Sequence, residues 1–229
     1  ILGDVCTRRC NFCAVTKGVP SALEEGEPEK IAQAVEHIGL RHVVITSVTR
    51  DDLPDGGASH YAKTIKAIRT QDPACTIEVL IPDFKGSEKA VEIVLNESPH
   101  ILNHNIETVP RLFPDVRPDA DYERSLSLLE EAKKIDPELT TKSGLILGMG
   151  EEHDEIIDVM SDLRDVGCDI LTIGQYLCPG KGFLAVKRFY HPGEFIHLKY
   201  EGEKIGFRHV ESGPLVRSSY HAAEQFNPV

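Results

Sequence analysis

The chain has 229 residues, 41% of them hydrophobic, and its 25 Lys and Arg against 37 Asp and Glu give a net charge of −12. This length and composition predict one large domain or two small ones and exclude extended disorder. The acidic balance argues against nucleic acid as a partner, because phosphate binding requires clustered Lys and Arg, and no apolar run approaches the roughly 20 residues of a membrane span.

Short apolar runs alternate with amphipathic stretches along the chain. The apolar runs are unbroken, which is typical of parallel strands covered on both faces. We expect strands at residues 1–5, 43–47, 77–81, 101–106, 144–148 and 170–174. Apolar residues at helical spacing predict helices at 28–38, 58–71, 86–96, 122–135, 151–166 and 192–205. Six strand–helix units in alternation predict a parallel α/β fold.

Two architectures fit this alternation, a doubly wound open sheet and a barrel or partial barrel. Both place ligands at the carboxyl ends of the strands. The loop after the first predicted strand lacks the Gly-x-Gly-x-x-Gly of dinucleotide-binding sheets and carries cysteines instead. No low-complexity linker divides the chain. We therefore expect one domain, residues 1–229, built as a barrel or a partial barrel.

Three of the six cysteines crowd into one loop. Cys6, Cys10 and Cys13 have a C-x3-C-x2-C spacing directly after the first predicted strand. The cysteines at positions 75, 168 and 178 are far apart, and we interpret them as free thiols, the first two buried in the core. This usage of cysteine predicts a reducing compartment.

Three thiolates this close in sequence can converge on one metal centre. A structural zinc normally takes four protein ligands, so a zinc site would need a distant histidine. Three cysteines on a cubane iron–sulfur cluster leave one iron without a protein ligand, open to a small molecule. Arg8 and Arg9 can lower the thiolate pKa values and offset cluster charge. The residues favour the cluster and leave zinc as an alternative.

The cysteine loop resembles that of the radical S-adenosylmethionine superfamily. Phe12 stands at the aromatic position often found before the last cysteine, and the six predicted strand–helix repeats match the partial (β/α)6 TIM-type barrel of that superfamily. The resemblance implies a [4Fe–4S] cluster whose open iron binds S-adenosylmethionine. It also implies an electron transfer that splits the sulfonium and releases a 5′-deoxyadenosyl radical.

Longer segments are similar to the lipoyl synthase family. They lie at residues 1–13, 46–58, 103–108, 142–148, 174–177 and 212–222. The last contains Arg-Ser-Ser-Tyr-His-Ala, residues 217–222, which is more specific than the cysteines; we refer to it as the C-terminal signature. The resemblance implies insertion of two sulfur atoms, at C6 and C8, into a protein-bound octanoyl-lysine. The sulfur would come from a second, auxiliary [4Fe–4S] cluster.

The resemblance also implies site residues. Cys6, Cys10 and Cys13 would hold the radical cluster, and Ser219 would ligate the auxiliary cluster, with Ser218 as the alternative. The other ligands of that cluster are absent from residues 1–229, and we expect an auxiliary-cluster segment before residue 1. The expected cofactor-binding residues are Phe12, Arg50, Asp51, Asp52, Asn105, Glu107, Arg124, Lys142 and Ser143.

Structural roles explain several of these residues equally well when the family is left aside. Asp51 and Asp52 suit the capping of a helix or turn. Asn103, Asn105 and Glu107 share one face of a predicted strand and fit a buried hydrogen-bond network as well as a ligand site. These alternatives stay open at the level of sequence.

The implied partners are octanoylated lipoyl carrier domains, namely 2-oxoacid dehydrogenase subunits and the glycine cleavage H protein. An electron donor such as ferredoxin or flavodoxin is also expected, in the cytoplasm or another reducing compartment such as a mitochondrion or plastid. Two other functions compete with this one. They are a radical S-adenosylmethionine enzyme that uses only the first cluster, and a structural metal-binding barrel.

Overall fold

Six parallel strands form the central sheet of the protein, whose structure is a computed structural model that describes residues 1–226. The strands, in both chain and spatial order, are β3 (His42–Thr46), β4 (Thr76–Leu80), β5 (Ile101–Asn103), β6 (Thr140–Leu147), β7 (Ile170–Gln175) and β8 (His209–Ser212). Within the described residues, β3 and β8 are not paired with each other. The sheet is therefore a partial barrel, as predicted.

The helices pack their apolar faces against this sheet. They are α1 (Glu27–Ile38), α2 (Ala58–Gln71), α3 (Glu88–Leu95), α4 (Phe113–Val116), α5 (Tyr122–Ile135), α6 (His153–Asp165), α7 (Pro192–Ile205) and α8 (Ala222–Phe226). The six long predicted helices are confirmed, with ends shifted by at most a few residues. No helix within residues 1–226 is long and apolar enough to cross a membrane.

The segment predicted as the first strand lies outside the six-stranded sheet. Only β1 (Val5–Cys6) is extended, and it pairs with β2 (Thr16–Lys17) in a separate two-stranded sheet. Leu2 has a φ of 72° and is 1% exposed, and its side chain packs against Gly57, where a Cβ atom would collide with it. The prediction was wrong because the apolar residues here serve burial rather than strand pairing.

The sixth strand of the barrel is β8, which the hydrophobic pattern did not predict. Its sequence, His-Val-Glu-Ser, alternates, and only Val210 is fully buried. Because β8 is an edge strand paired only with β7, its other residues remain partly solvated. An edge strand does not require the unbroken apolar run of a central one.

The predicted strand 101–106 ends early, at Asn103. The chain then follows β6 irregularly, with the Glu107 amide donating to the Gly144 carbonyl at 2.8 Å. Glu107 has a φ of 69°, in the left-handed region that residues other than glycine rarely adopt. This break lets Asn105 and Glu107 line the cavities at the carboxyl ends of the strands.

The segment after β8 crosses the barrel lumen. It passes the carboxyl end of β7, where the Val216 carbonyl lies against Gly174, and reaches Asn105 beyond β5. It ends in α8, which packs against β3 on the far side of the opening. The C-terminal signature therefore lies across the opening of the barrel, with most of its side chains exposed.

Candidate functional site

The cysteine loop lies between β1 and β2 at the mouth of the barrel. Cys6, Cys10 and Cys13 are half-buried free thiols, and all three line a cavity of about 460 Å³, the outer cavity. Asn11 anchors the loop, since its amide donates to the Val116 carbonyl at 2.9 Å and its own carbonyl accepts from the Leu184 amide at 3.1 Å. The loop is thus held in place from two separate parts of the chain.

The three thiols do not form a compact single-ion site. Within residues 1–226, no group of three or more His, Cys, Asp or Glu side chains converges closely enough to hold one metal ion. A zinc ion needs its ligands at about 2.0–2.3 Å, whereas an iron–sulfur cluster distributes its cysteines over several iron atoms. Thiols spread around a shared cavity fit the larger group.

Arg117 lies beside Cys10 in the outer cavity. Burial raises the pKa of the Cys10 thiol, and the Arg117 guanidinium partly offsets this by favouring the thiolate. Arg117 is 9% exposed and donates to the carbonyls of Asn105 and Ile106 at 2.9 and 3.1 Å, but its buried Nε has no partner among the described residues. Arg117 thus lines the outer cavity with one guanidinium nitrogen left without a hydrogen-bond partner in the described protein.

Sequence reasoning missed Arg117. The available signal was its position in the loop that follows the fifth predicted strand, at the carboxyl edge of the sheet. Nothing in the local pattern separates a buried arginine from the many that lie on the surface.

Three more residues that line the outer cavity each have a buried polar atom without a hydrogen-bond partner in the described part of the chain. Asn105 Oδ1, Glu107 Oε2 and His104 Nε2 are buried and have no hydrogen-bond partner within residues 1–226. Such atoms are rare in folded proteins and need an explanation. Burial raises the pKa of Glu107. We infer that these atoms face a ligand.

His104 combines a structural contact with a free ring nitrogen. Its Nδ1 lies 2.8 Å from the Ile81 carbonyl and so carries the proton, which leaves Nε2 as an acceptor. Burial lowers the pKa of His104 to about 4. His104 is therefore a core histidine that also lines the outer cavity.

A second cavity, of about 310 Å³, lies deeper in the lumen and shares Asn105 and Glu107 with the first. We call it the inner cavity. Ser218 and Ser219 line its wall, and the Ser218 hydroxyl accepts a hydrogen bond from Asn105 Nδ2 at 2.8 Å. Ser219 is exposed. The two predicted cluster sites, the cysteine loop and the C-terminal signature, therefore face connected cavities.

Lys142 and Ser143 use their polar atoms inside the protein. The Lys142 ammonium pairs with Glu78 at 3.0 Å and donates to the Ser218 carbonyl at 2.6 Å. The Ser143 hydroxyl donates to the His104 carbonyl at 2.9 Å. Neither residue lines the two cavities, although the sequence analysis predicted both as cofactor-binding.

Arg50, Asp51 and Asp52 also lie beside the outer cavity rather than on its wall. Arg50 makes a bidentate pair with Asp52 at 2.8 and 2.9 Å and donates to the Leu2 carbonyl at 3.1 Å. Asp51 pairs with Arg8 at 2.7 Å. These contacts fix the strand-end loop against the N-terminal segment.

Arg124 does not line the outer cavity and is linked to it through two other charged residues. Its Nε donates to the fully buried Asp83 at 2.8 Å, and Asp83 in turn accepts from Arg8, which lines the cavity. Burial alone would raise the pKa of Asp83, but the hydrogen bond and charge of Arg8 hold it far below its ordinary value. Phe12, by contrast, lines the outer cavity as expected.

Comparison with known proteins places this geometry in context. A family model described as the radical SAM superfamily matches residues 1–163. Over 222 residues the chain is 56% identical to a lipoyl synthase of Caldanaerobacter subterraneus subsp. tengcongensis, covering 97% of this chain and 78% of that protein. It is 58% identical to a lipoyl synthase of Rubrobacter xylanophilus, covering 98% of this chain and 70% of the relative.

Solved structures share the fold at low sequence identity. SuiB of Streptococcus suis bound to S-adenosylmethionine aligns with a TM-score of 0.68 at 13% identity, over 88% of this chain and 45% of SuiB. Methylornithine synthase aligns with a TM-score of 0.64 at 13% identity, over 95% of this chain and 71% of that protein. These alignments support the partial-barrel fold.

Proposed function

Because the chain belongs to the lipoyl synthase family of the radical S-adenosylmethionine superfamily, we propose that its two connected cavities are where sulfur is inserted into a protein-bound octanoyl chain. Lipoyl synthases place two sulfur atoms, at C6 and C8 of an octanoyl-lysine. The observation that carries the proposal is that the cysteine loop and the C-terminal signature, far apart in sequence, line cavities that share Asn105 and Glu107.

Cys6, Cys10 and Cys13 are the residues that would hold the radical [4Fe–4S] cluster. Their shared cavity, with unpaired polar atoms on its wall, fits a multi-iron group together with a small polar ligand. When bound, the cluster and S-adenosylmethionine supply the one-electron chemistry that abstracts hydrogen from the octanoyl chain. Cluster binding requires loss of the thiol protons, and the charge of Arg117 favours this loss at Cys10.

The polar wall of the outer cavity matches the polar groups of S-adenosylmethionine. Arg117 Nε is a free donor for a carboxylate, and Glu107 Oε2 and Asn105 Oδ1 are free acceptors for an ammonium or for hydroxyls. We assign the carboxylate contact to Arg117 rather than to Arg124, which pairs with Asp83 instead. Arg50, Asp51 and Asp52 then act by holding the adjacent loops.

The inner cavity offers space for an apolar chain. Val44, Leu80, Leu145 and Val216 line it, so an octanoyl group entering from the mouth would contact apolar side chains and displace water from them. Exclusion of water protects reactive carbon centres from side reactions. The octanoyl carbons would then lie between the cysteine loop and the C-terminal signature.

Ser219 is our choice of ligand for the auxiliary cluster. The hydroxyl of Ser218 is already engaged by Asn105, whereas Ser219 lies exposed at the cavity wall. Serine binds iron more weakly than a thiolate, which suits a cluster that is consumed as the sulfur source. We propose that the remaining ligands belong to a segment outside residues 1–229, consistent with relatives longer than this chain.

The family implies a lipoyl carrier as the protein substrate. We propose octanoylated domains of 2-oxoacid dehydrogenases and the glycine cleavage H protein as carriers, and a ferredoxin or flavodoxin as electron donor. The free thiols support a cytoplasmic or otherwise reducing location, since Cys75 and Cys168 are buried and Cys178 is exposed and unpaired.

The first test is release of 5′-deoxyadenosine by iron-reconstituted protein given dithionite and S-adenosylmethionine without oxygen. We expect Cys10→Ala to abolish release and the matched Cys178→Ala variant to retain it, because Cys178 lies outside the cysteine loop. Release by Cys10→Ala at the wild-type rate would contradict the cluster assignment. Analysis of an octanoylated lipoyl domain for lipoyl product then separates sulfur insertion from a reaction that uses the first cluster alone.

A further inference from the structure

A fully buried ion pair lies against the C-terminal signature. Lys142 and Glu78 are both 0% exposed, and Nζ lies 3.0 Å from Oε1. Lysine is almost never fully buried without a paired charge, and replacing such pairs by apolar residues is often neutral or stabilising. A contribution to fold stability is therefore a weak explanation for the presence of this buried pair. The other contacts of Lys142 and Glu78 indicate its role.

The second contact of the ammonium is with the signature itself. Lys142 Nζ donates to the main-chain carbonyl of Ser218 at 2.6 Å, which fixes the backbone and does not depend on the serine side chain. Glu78 is held in turn, since Asn103 Nδ2 donates to it at 3.0 Å and His42 Nε2 lies 3.6 Å away. The Lys142 ammonium therefore pairs with a carboxylate that is itself held in place, and it donates to the Ser218 carbonyl.

Two neighbouring contacts fix the same turn of chain. Asn105 Nδ2 donates to the Ser218 hydroxyl at 2.8 Å. Gly174 allows the Val216 carbonyl to approach β7, since a Cβ atom there would collide with that oxygen. These contacts come from β6, β7 and the chain after β5, so the signature is held from several sides and Lys142 supplies the charged contact.

We propose that Lys142 is a positioning residue whose ammonium, balanced by Glu78, holds the Ser218 carbonyl and so keeps Ser219 at the wall of the inner cavity. The hold on the backbone is independent of any cofactor. Its consequence for the auxiliary cluster rests on the proposed ligand role of Ser219.

The test uses a variant that removes both charges. Lys142→Met alone would leave Glu78 buried and unpaired, which is strongly destabilising, so it is combined with Glu78→Gln. The matched control is Lys133→Met with Asp169→Asn, because Lys133 Nζ also binds a carboxylate, at 2.7 Å, and a main-chain carbonyl, that of Leu139, at 2.6 Å. The control pair makes no contact with the signature.

Amide hydrogen exchange, measured on the natural, full-length protein without cofactors, tests whether Lys142 holds the backbone at Ser218. The amides of Val216 and Tyr220 are bonded within the segment, and we expect both to exchange about tenfold faster in the Lys142/Glu78 variant. The Lys133/Asp169 control should match the wild type there. Unchanged exchange in a folded Lys142/Glu78 variant would overturn the proposal.

A wild-type measurement covers the case in which the paired variant does not fold. In protein with ¹⁵N-labelled lysine, the Lys142 ammonium should give a resonance protected from solvent exchange, assigned by its absence from Lys142→Arg. Exchange as fast as that of exposed lysines would contradict a buried bond to the Ser218 carbonyl.

Electron paramagnetic resonance of the iron-reconstituted protein separates this inference from the ligand assignment. We expect both Ser219→Ala and the Lys142/Glu78 variant to alter the auxiliary-cluster signal, and only the latter to speed amide exchange. An unchanged signal in Ser219→Ala would refute the ligand role and leave the hold by Lys142 to be judged from exchange. A different outcome would refute the positioning role alone. In that case the signal changes in Ser219→Ala, but neither the signal nor the amide exchange changes in the Lys142/Glu78 variant.

Discussion

The cysteine loop and the C-terminal signature face connected cavities, but the protein holds them in different ways. The loop lies at the mouth, with half-buried thiols and backbone contacts to Val116 and Leu184. The signature lies in the lumen, held by the buried Lys142–Glu78 pair and by Asn105. The loop brings its ligands within eight residues of sequence, whereas the signature depends on distant strands for its placement.

The difference has a chemical reason. Three thiolates bind iron strongly, so the cluster itself can order the loop once it is bound. On the proposed assignment the signature contributes a serine, which binds iron weakly, so the protein would have to supply the positioning that the metal–ligand bond does not. The two regions should therefore respond differently to substitution.

The largest expected effect is at the signature. Ser219→Ala should lower lipoyl formation in the full-length protein by at least about a hundredfold, as loss of a ligand exceeds the effect of losing a supporting contact. Ser218→Ala removes only the hydroxyl held by Asn105 and should cost about tenfold. Release of 5′-deoxyadenosine should persist in both. The reverse order of the two variants would assign the ligand to Ser218.

His104, which lines the outer cavity, should make the stability of the protein depend on pH. His104 has a pKa of about 4 in the folded protein, against an ordinary value of 6.5. Between pH 6.5 and pH 4, His104 is therefore protonated in the unfolded chain and neutral in the folded protein. The free energy of unfolding should fall as pH drops from 6.5 to 4, with His104 contributing up to about 3 kcal/mol.

Denaturant titrations across this pH range measure the effect. His104→Gln should flatten the decline, and the exposed His197→Gln should leave it unchanged. A decline of equal slope in wild type and His104→Gln would show that other groups account for it.

The smallest expected effect separates two arginines. Arg117→Gln should raise KM for S-adenosylmethionine about tenfold, since a charged hydrogen bond is lost. Arg124→Gln should raise it less than threefold, because Arg124 acts through Asp83 and Arg8. KM measured from 5′-deoxyadenosine release tests both, and a larger effect at Arg124 would restore the assignment made from sequence.

Local patterns predicted most of the fold and one half of the site. The helices were predicted from apolar spacing, and the cysteine loop from its C-x3-C-x2-C spacing. The patterns failed where tertiary context decides. Residues 1–5 are apolar because Leu2 is buried beside Gly57, and β8 is polar because an edge strand stays partly solvated.

Site residues were harder to predict than elements. Lys142 and Ser143 belong to a segment that resembles the family, but their polar atoms bind Glu78, the Ser218 carbonyl and the His104 carbonyl rather than lining a cavity. Arg117 was missed because burial of a charged side chain has no signature in local sequence. Family resemblance marks which segments are important without specifying what each side chain contacts.

The six long helices, five of the six barrel strands, the three neighbouring thiols and the family could be predicted from the sequence alone, since these depend on local spacing and on motifs. Which polar groups meet depends on the folded protein. Asn105, Glu107 and Arg117 line one cavity with the cysteines, and Lys142 reaches the Ser218 carbonyl 76 residues away, because the curved sheet brings distant segments together. The physical reason is that burial and pairing of charge depend on the surrounding chain, which no single segment contains.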